Sequence, residues 1–252
     1  SEGTLATVTE AELNLVELPN SKGLLVVEFD DIIKSMEASV LALDLNPSAV
    51  EHIGEIIISE ARKSPEFSSG IEYLNNNPTD IIVVEFYGEN ELEVKDKISH
   101  LKKKLDISGL SLSSTEVINP VQQKKVWDMR KAGLGLVMKK PGEAKAIPFV
   151  EDTAVSPEKL PEYVKRFDEI VRQNGTTAGY YGHASVGCLH IRPLINLKEE
   201  KDIKRMVKIS DEISDLVFEF GGAFSGEHGD GIVRGAWTCL LYTSPSPRDK
   251  HR

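Results

Sequence analysis

The run Ile81-Ile82-Val83-Val84-Glu85-Phe86-Tyr87 admits little besides a buried strand. Its β-branched and aromatic side chains suit a pleated surface, and Gly88 closes it after seven residues. A charged helix over about 89–105 follows, with Leu92, Val94, Ile98, Leu101 and Leu105 as its apolar side. The same order stands nearer the amino end. Leu24–Phe29 reads as a strand, and Asp30 caps a helix over roughly 31–43. Ile53, Ile56, Ile57 and Glu60–Ala61 continue a helix-like period, which leaves His52 on an exposed helix with no role. Two strand–helix units of this kind point to an α+β fold, a ferredoxin-like antiparallel sheet covered by helices on one face.

Farther along, Pro120 opens a helix to about Lys131, Ala146–Val150 reads as a short strand, and Pro161–Gln173 as an amphipathic helix. Thr176–Pro193 is β-and-turn, and Lys198–Phe220 a long helix stopped by Gly221-Gly222. The chain breaks near Leu18-Pro19-Asn20, a domain boundary that leaves residues 1–18 apart from 19–238. From Cys239 to Arg252 the composition changes abruptly, and Leu240-Leu241-Tyr242-Thr243-Ser244-Pro245-Ser246-Pro247-Arg248-Asp249 reads as translated sequencing adapter rather than native protein. Cys188 is then the only natural cysteine, too few for a disulfide framework or an iron–sulfur cluster.

Charge and hydropathy exclude further classes. Forty Asp and Glu against thirty Lys and Arg give a net charge of −10 with no basic stripe, so nucleic acid is not an expected partner. No apolar run has the roughly 18–20 residues that cross a bilayer, and no signal peptide is evident, so a cytoplasmic setting is expected.

Three clusters can carry chemistry. In Gly182-His183-Ala184-Ser185-Val186-Gly187-Cys188-Leu189-His190 the glycines and Pro193 argue against helix, and on a straight strand an odd spacing sends the two imidazoles to opposite faces. A strand–turn–strand bending near Gly187 would unite them, and two convergent imidazoles plus a carboxylate make an open metal site. Two unrelated polar histidines remain the alternative. Ser225-Gly226-Glu227-His228-Gly229-Asp230-Gly231 sets a carboxylate beside an imidazole in a glycine-dense loop that could equally be a tight turn. Arg130 and Lys145 offer a planar fork and a point charge for a carboxylate, or a solvated surface.

With Ser1-Glu2-Gly3-Thr4-Leu5 and Thr9-Glu10-Ala11 ahead of them, the two histidine clusters resemble the FAD-linked oxidases acting on D-2-hydroxy acids. That family has the vanillyl-alcohol-oxidase fold and includes D-lactate and D-2-hydroxyglutarate dehydrogenases and the glycolate oxidase flavoprotein subunit. The resemblance implies that residues 1–18 are the last piece of a FAD-binding domain, with Ser1, Glu2, Gly3 and Thr4 beside the flavin, and that 19–238 form a truncated substrate (cap) domain. It further implies that His183, His190 and Glu227 hold a divalent metal (zinc or manganese), that His228 is the catalytic base, and that Arg130 and Lys145 hold the substrate carboxylate. The commoner family pattern has Asp-Gly-Asn where Val186-Gly187-Cys188 stands, and Cys188 cannot reproduce an amide's polar contact, which leaves the particular hydroxy acid open. His183–His190 and Gly229–Arg234 are similar to large bacterial members carrying an iron–sulfur module, outside this chain. The electron acceptor would be that module, a quinone or an electron-transfer flavoprotein, with peripheral membrane association as one setting. Two other readings stay open: a non-catalytic small-molecule-binding domain with a structural metal, and a metal-dependent hydrolase using His183, His190 and Glu227.

Overall fold

The computed structural model describes residues 7–241, with side chains described as far as Trp237. Residues 7–20 carry no regular structure. Eight helices and seven strands come next among the described residues: β1 (Ser21–Phe29), α1 (Ile32–Leu43), β2 (Ala49–Ile53), α2 (Glu55–Lys63), β3 (Asp80–Gly88), α3 (Glu91–Ser108), β4 (Ser113–Val117), α4 (Pro120–Lys131), α5 (Gly133–Met138), β5 (Lys145–Ala146), α6 (Leu160–Gln173), β6 (Ala178–His183), β7 (Cys188–Ile195), α7 (Glu200–Phe220) and α8 (Gly231–Leu241).

Every strand pair is antiparallel, in the order β4-β1-β3-β2-β6-β7-β5. The first four strands, with α1 between β1 and β2 and α3 between β3 and β4, have the expected ferredoxin-like order. The two strongest strand signals pair directly, Val26 opposite Val83. Both are apolar on both faces because both faces are covered, which corrects the expectation of helices on one face only. Leu25, Val27, Ile82 and Val84 join one core with α1, α3, α6 and α7, whereas Leu24, Val26, Ile81 and Val83 join a second with α2, α4 and α5. Each such side chain, fully buried, contributes roughly 1.5–3 kcal/mol of hydrophobic stabilisation.

Local chemistry explains where the elements begin and end. Asp31, not Asp30, caps α1, its carboxylate accepting from the amides of Ile33 (2.7 Å) and Lys34 (3.1 Å), while Asp30 pairs with the Lys34 ammonium. α3 starts at Asn90 and ends at Gly109 (φ 66°), with Val94, Ile98, Leu101 and Leu105 buried but Leu92 exposed. Along α7, Ile209, Ile213, Leu216 and Val217 face the core, and Gly221 (φ 65°) ends the helix as expected.

Two segments differ from the sequence reading. Ala49–Ile53 is a strand, so His52 is fully buried on the sheet, its Nε2 3.0 Å from Asp80 Oδ1, and not on an exposed helix. The helical period begins only after Gly54. The expected strand over 146–150 shrinks to Lys145–Ala146, because Pro148 has no amide to continue a ladder. Cys239–Arg252 lies largely outside the described residues: the backbone is described only to Leu241.

Candidate metal centre

The hairpin of β6 and β7 turns through Ala184–Val186 and Gly187, whose φ of 71° is left-handed. A Cβ at Gly187 would lie 1.8 Å from the Val155 carbonyl oxygen, so the turn requires glycine. The reversal sets Cys188 opposite His183 and His190 opposite Tyr181. Directly opposed residues and residues two apart share a face, so both imidazoles reach the same side of the sheet despite their odd spacing. Glu51, opposite His183 on β2, joins them there.

The glycine-dense loop is brought over this face by Asp152. The Asp152 carboxylate accepts from the amides of Glu227 (2.9 Å) and His228 (2.7 Å) and from the Ser225 hydroxyl (2.8 Å), and pairs with Arg234. Ala154 and Ala223 exchange backbone bonds just before it. Burial opposes the charged form of Asp152, but the His228 and Glu227 amides, the Arg234 guanidinium and the Ser225 hydroxyl outweigh it and hold the carboxyl at about 2.

His183, His190 and Glu227 therefore converge, with one ligand atom from each within 4.8 Å of the others. Glu227 Oε1 lies 3.3 Å from His183 Nε2, and its Oε2 3.7 Å from His190 Nε2. Zinc–nitrogen bonds of about 2.0–2.1 Å at a tetrahedral angle would separate ligand atoms by roughly 3.3 Å, so these distances fit a divalent ion. Burial and then the charges of His183 and His228 push the His190 ring down to about 3, leaving it neutral as a ligand must be. The hydrogen bond that His183 donates to the Glu51 carboxylate raises the His183 pKa above its ordinary value.

A second trio, Glu151, His190 and His228, meets the same distance criterion but is less suited. The His190 and His228 rings are stacked 5.0 Å apart at 4°, and in-plane lone pairs of parallel rings do not meet at one ion. The His183 and His190 rings stand at 81°, which lets theirs converge. Glu151 is also occupied already, by Arg192 (2.6 Å) and by His228 Nδ1 (2.5 Å). Among the described residues, the ion pairs of the Glu227 carboxylate are to the imidazoles of His183, His190 and His228. His228, nearly half exposed, presents Nε2 3.7 Å from Glu227.

Of the residues assigned to the substrate carboxylate, Arg130 lies beside the cluster. Its Nε and Nη2 both donate to Glu51 Oε2, at 2.8 and 2.7 Å. The structure does not bring Lys145 into the cluster: it sits opposite Ile195 and its ammonium donates to the Lys140 carbonyl. Ser1 to Thr4 lie outside the described residues. Cys188 is buried on the ligand face, and burial with the Glu227 carboxylate pushes its thiol up to about 12, so it is an inert wall. A cavity of about 530 Å³ bordered by Asp80, Lys140, Asp168 and Tyr180 includes none of these residues.

Four participants escaped the sequence reading: Glu51, Glu151, Asp152 and Arg192. Arg192 was within reach, since it stands two residues from His190 and so shares its strand face. The three carboxylates carry no local pattern, because their role comes from strand pairing and chain reversal.

Comparison with known proteins identifies the family of the chain. Residues 18–244 match the family model described as FAD linked oxidases, C-terminal domain. The chain is 30% identical over 241 residues to the D-2-hydroxyglutarate dehydrogenases of Haemophilus influenzae and Escherichia coli, covering 92% of this chain but 24% of each relative. It is 27% identical over 235 residues to the D-lactate dehydrogenase of Archaeoglobus fulgidus, covering 93% of this chain and 48% of that protein. The chain thus spans about a quarter to a half of the curated relatives it matches. Among solved structures, the 4-ethylphenol oxidase of Gulosibacter chungangensis superposes with a TM-score of 0.54 at 13% identity, over 82% of this chain and 46% of that one. p-Cresol methylhydroxylase gives 0.51 at 11% identity, over 82% and 45%. The match covers most of the chain, and this chain belongs to the family of FAD-linked oxidase C-terminal domains.

Proposed function

We propose that residues 19–238 are the substrate domain of a flavin-dependent dehydrogenase that oxidises a D-2-hydroxy acid to the 2-oxo acid. The observation that carries this reading is the meeting of His183, His190 and Glu227 on one open face with His228 beside them. His183 and His190 would hold a zinc or manganese ion through Nε2, and Glu227 through its carboxylate. Three protein ligands leave a position for substrate, which favours a catalytic over a structural metal. Bound there, the ion would lower the pKa of the substrate hydroxyl and orient the molecule. His228 keeps a proton on Nδ1 for Glu151, so its Nε2 lone pair is the one free to take the hydroxyl proton. Arg130, with donors beyond the two spent on Glu51, would bind the substrate carboxylate.

FAD supplies the two-electron acceptor, held by a domain of which residues 1–18 would be the end. The two electrons taken up by the flavin would pass onward to an iron–sulfur module, a quinone or an electron-transfer flavoprotein. No described helix is long and apolar enough to cross a membrane.

Metal content beside turnover tests the assignment in the flavin-containing full-length protein. His190→Ala should lose metal and activity together. His228→Ala should retain metal while turnover falls about 10²–10⁴-fold, the usual worth of a general base. The reverse pattern would invert the roles, and full metal in both variants would remove the site.

A further inference from the structure

Two buried carboxylates lie beneath the cluster, each between a guanidinium and an imidazole. Glu51 accepts from Arg130 on Oε2 (2.8 and 2.7 Å) and meets His183 Nδ1 on Oε1 (2.7 Å). Glu151 meets Arg192 on Oε2 (2.6 Å) and His228 Nδ1 on Oε1 (2.5 Å). Each glutamate sets one oxygen beside a guanidinium and the other beside an imidazole; Arg130 hydrogen-bonds Glu51, whereas Arg192 meets Glu151 as a close ion pair without hydrogen-bond geometry, and both glutamates are under 10% exposed. Tyr181 stands beside the first pair, with the Arg130 guanidinium 5.3 Å over its ring.

A carboxylate on Nδ1 fixes the proton there and leaves the lone pair on Nε2. For both histidines Nε2 is the atom turned towards Glu227, at 3.3 Å from His183 and 3.7 Å from His228. The arginine matters as much as the glutamate. It compensates a buried carboxylate and claims one of its oxygens, which fixes the orientation of the group. His190 has no such partner: its Nδ1 is buried without a hydrogen bond, 3.8 Å from Glu151.

We propose that Glu51 and Glu151 are positioning residues with separate duties, the Arg130–Glu51 pair holding His183 as a metal ligand and the Arg192–Glu151 pair holding His228 as the proton acceptor. This rests on the assignment of ligand and base made above.

The experiment follows from the chemistry of an amide. In Glu51→Gln, Arg130 still demands an oxygen, so the amide turns its NH₂ towards His183 and forces the proton onto Nε2. Long-range ¹H–¹⁵N correlation spectra of the metal-free 252-residue chain should show that tautomer change at His183. Co²⁺ affinity, read from its visible spectrum, should fall about 10–100-fold, the usual effect of removing a ligand's carboxylate partner. In Glu51→Gln combined with Arg130→Leu the amide is free to turn its oxygen to His183. The wild-type tautomer and most of the Co²⁺ affinity should return. An ion pair with a purely structural role predicts a double variant no better than the single one, and that result overturns the proposal, as does an unchanged tautomer in Glu51→Gln. Should the single variant not fold, the double variant's tautomer and affinity against wild type decide alone. Glu151→Gln in the full-length enzyme should leave Co²⁺ affinity within about threefold while turnover falls about 10²–10⁴-fold. A loss of affinity equal to that of Glu51→Gln would refute the division of duties. Wild-type chain that binds no Co²⁺ would sink the metal-site reading, and the tautomer spectra would still judge Glu51 separately.

Discussion

Replacing Gly187 by alanine perturbs the one turn on which the ligand face depends. The residue sits at φ 71°, and an added Cβ would meet the Val155 carbonyl oxygen at 1.8 Å. The left-handed backbone costs a non-glycine residue roughly 1–2 kcal/mol. Relieving the contact means moving the backbone of Val155, whose amide donates to the Gly187 carbonyl at 3.0 Å; losing that bond costs about 1 kcal/mol. Displacing packed neighbours adds roughly 1–3 kcal/mol. The sum is about 4 kcal/mol, or a fall in Tm of roughly 8–16 °C for a domain of this size. Gly109→Ala is the control, because it shares a positive φ of 66° but has nothing within 4 Å of the added methyl. It should cost only the backbone component, about 1–2 kcal/mol. Urea unfolding of both variants, compared at unchanged m-value, measures the difference. Equal losses for the two would show that Val155 yields without cost and that Gly187 does not fix the turn. Gly187→Ala should also weaken Co²⁺ binding, since His183 and His190 diverge when the hairpin opens.

Three further outcomes rest on the same geometry. Asp80→Ala strips the one hydrogen bond that the described residues give the buried His52 ring and should destabilise the fold by about 1–3 kcal/mol, read by urea unfolding; a neutral result would mean that the ring finds water. Cys188, with its thiol near 12, should be about one part in 10⁴ ionised at pH 8, so iodoacetamide should label its peptide far more slowly in the native chain than in urea, and equal rates would contradict its burial. Asp152 has a folded pKa of about 2 against 3.8 unfolded, so its stabilising contribution is present above pH 4 and is lost as pH falls from about 4 towards 2. The span of nearly two units corresponds to about 2 kcal/mol, and Asp152→Asn should flatten the acid limb of a stability–pH curve by about that much.

What the sequence disclosed and what it hid have a common physical basis. Leu24–Phe29 and Ile81–Tyr87 were legible because a strand buried on both faces is apolar along most of its length, with Glu28 and Glu85 as the buried exceptions. Ser113–Val117 was not legible, because it is an edge strand made of Ser, Ser, Thr and Glu before its one buried valine. His52 was misplaced because Ala49–Ile53 carries two charged or polar residues that burial pairs with distant partners, Asp80 and Arg130. At the site, His183, His190 and Glu227 were legible as residue types among glycines, and the turn at Gly187 followed from its conformational freedom. Glu51 and Glu151 were hidden, since each meets its histidine across 77 residues or more of chain. Only the completed sheet sets them side by side.

His183, His190 and Glu227, rather than Glu151, His190 and His228, are the proposed metal ligands. Anomalous diffraction at the zinc edge, from crystals of this chain grown with Zn²⁺, tests this assignment most directly. One peak should lie about 2.0–2.2 Å from His183 Nε2, His190 Nε2 and a Glu227 oxygen, with His228 outside bonding distance. A peak bonded to His190 Nδ1, His228 and Glu151 would contradict it.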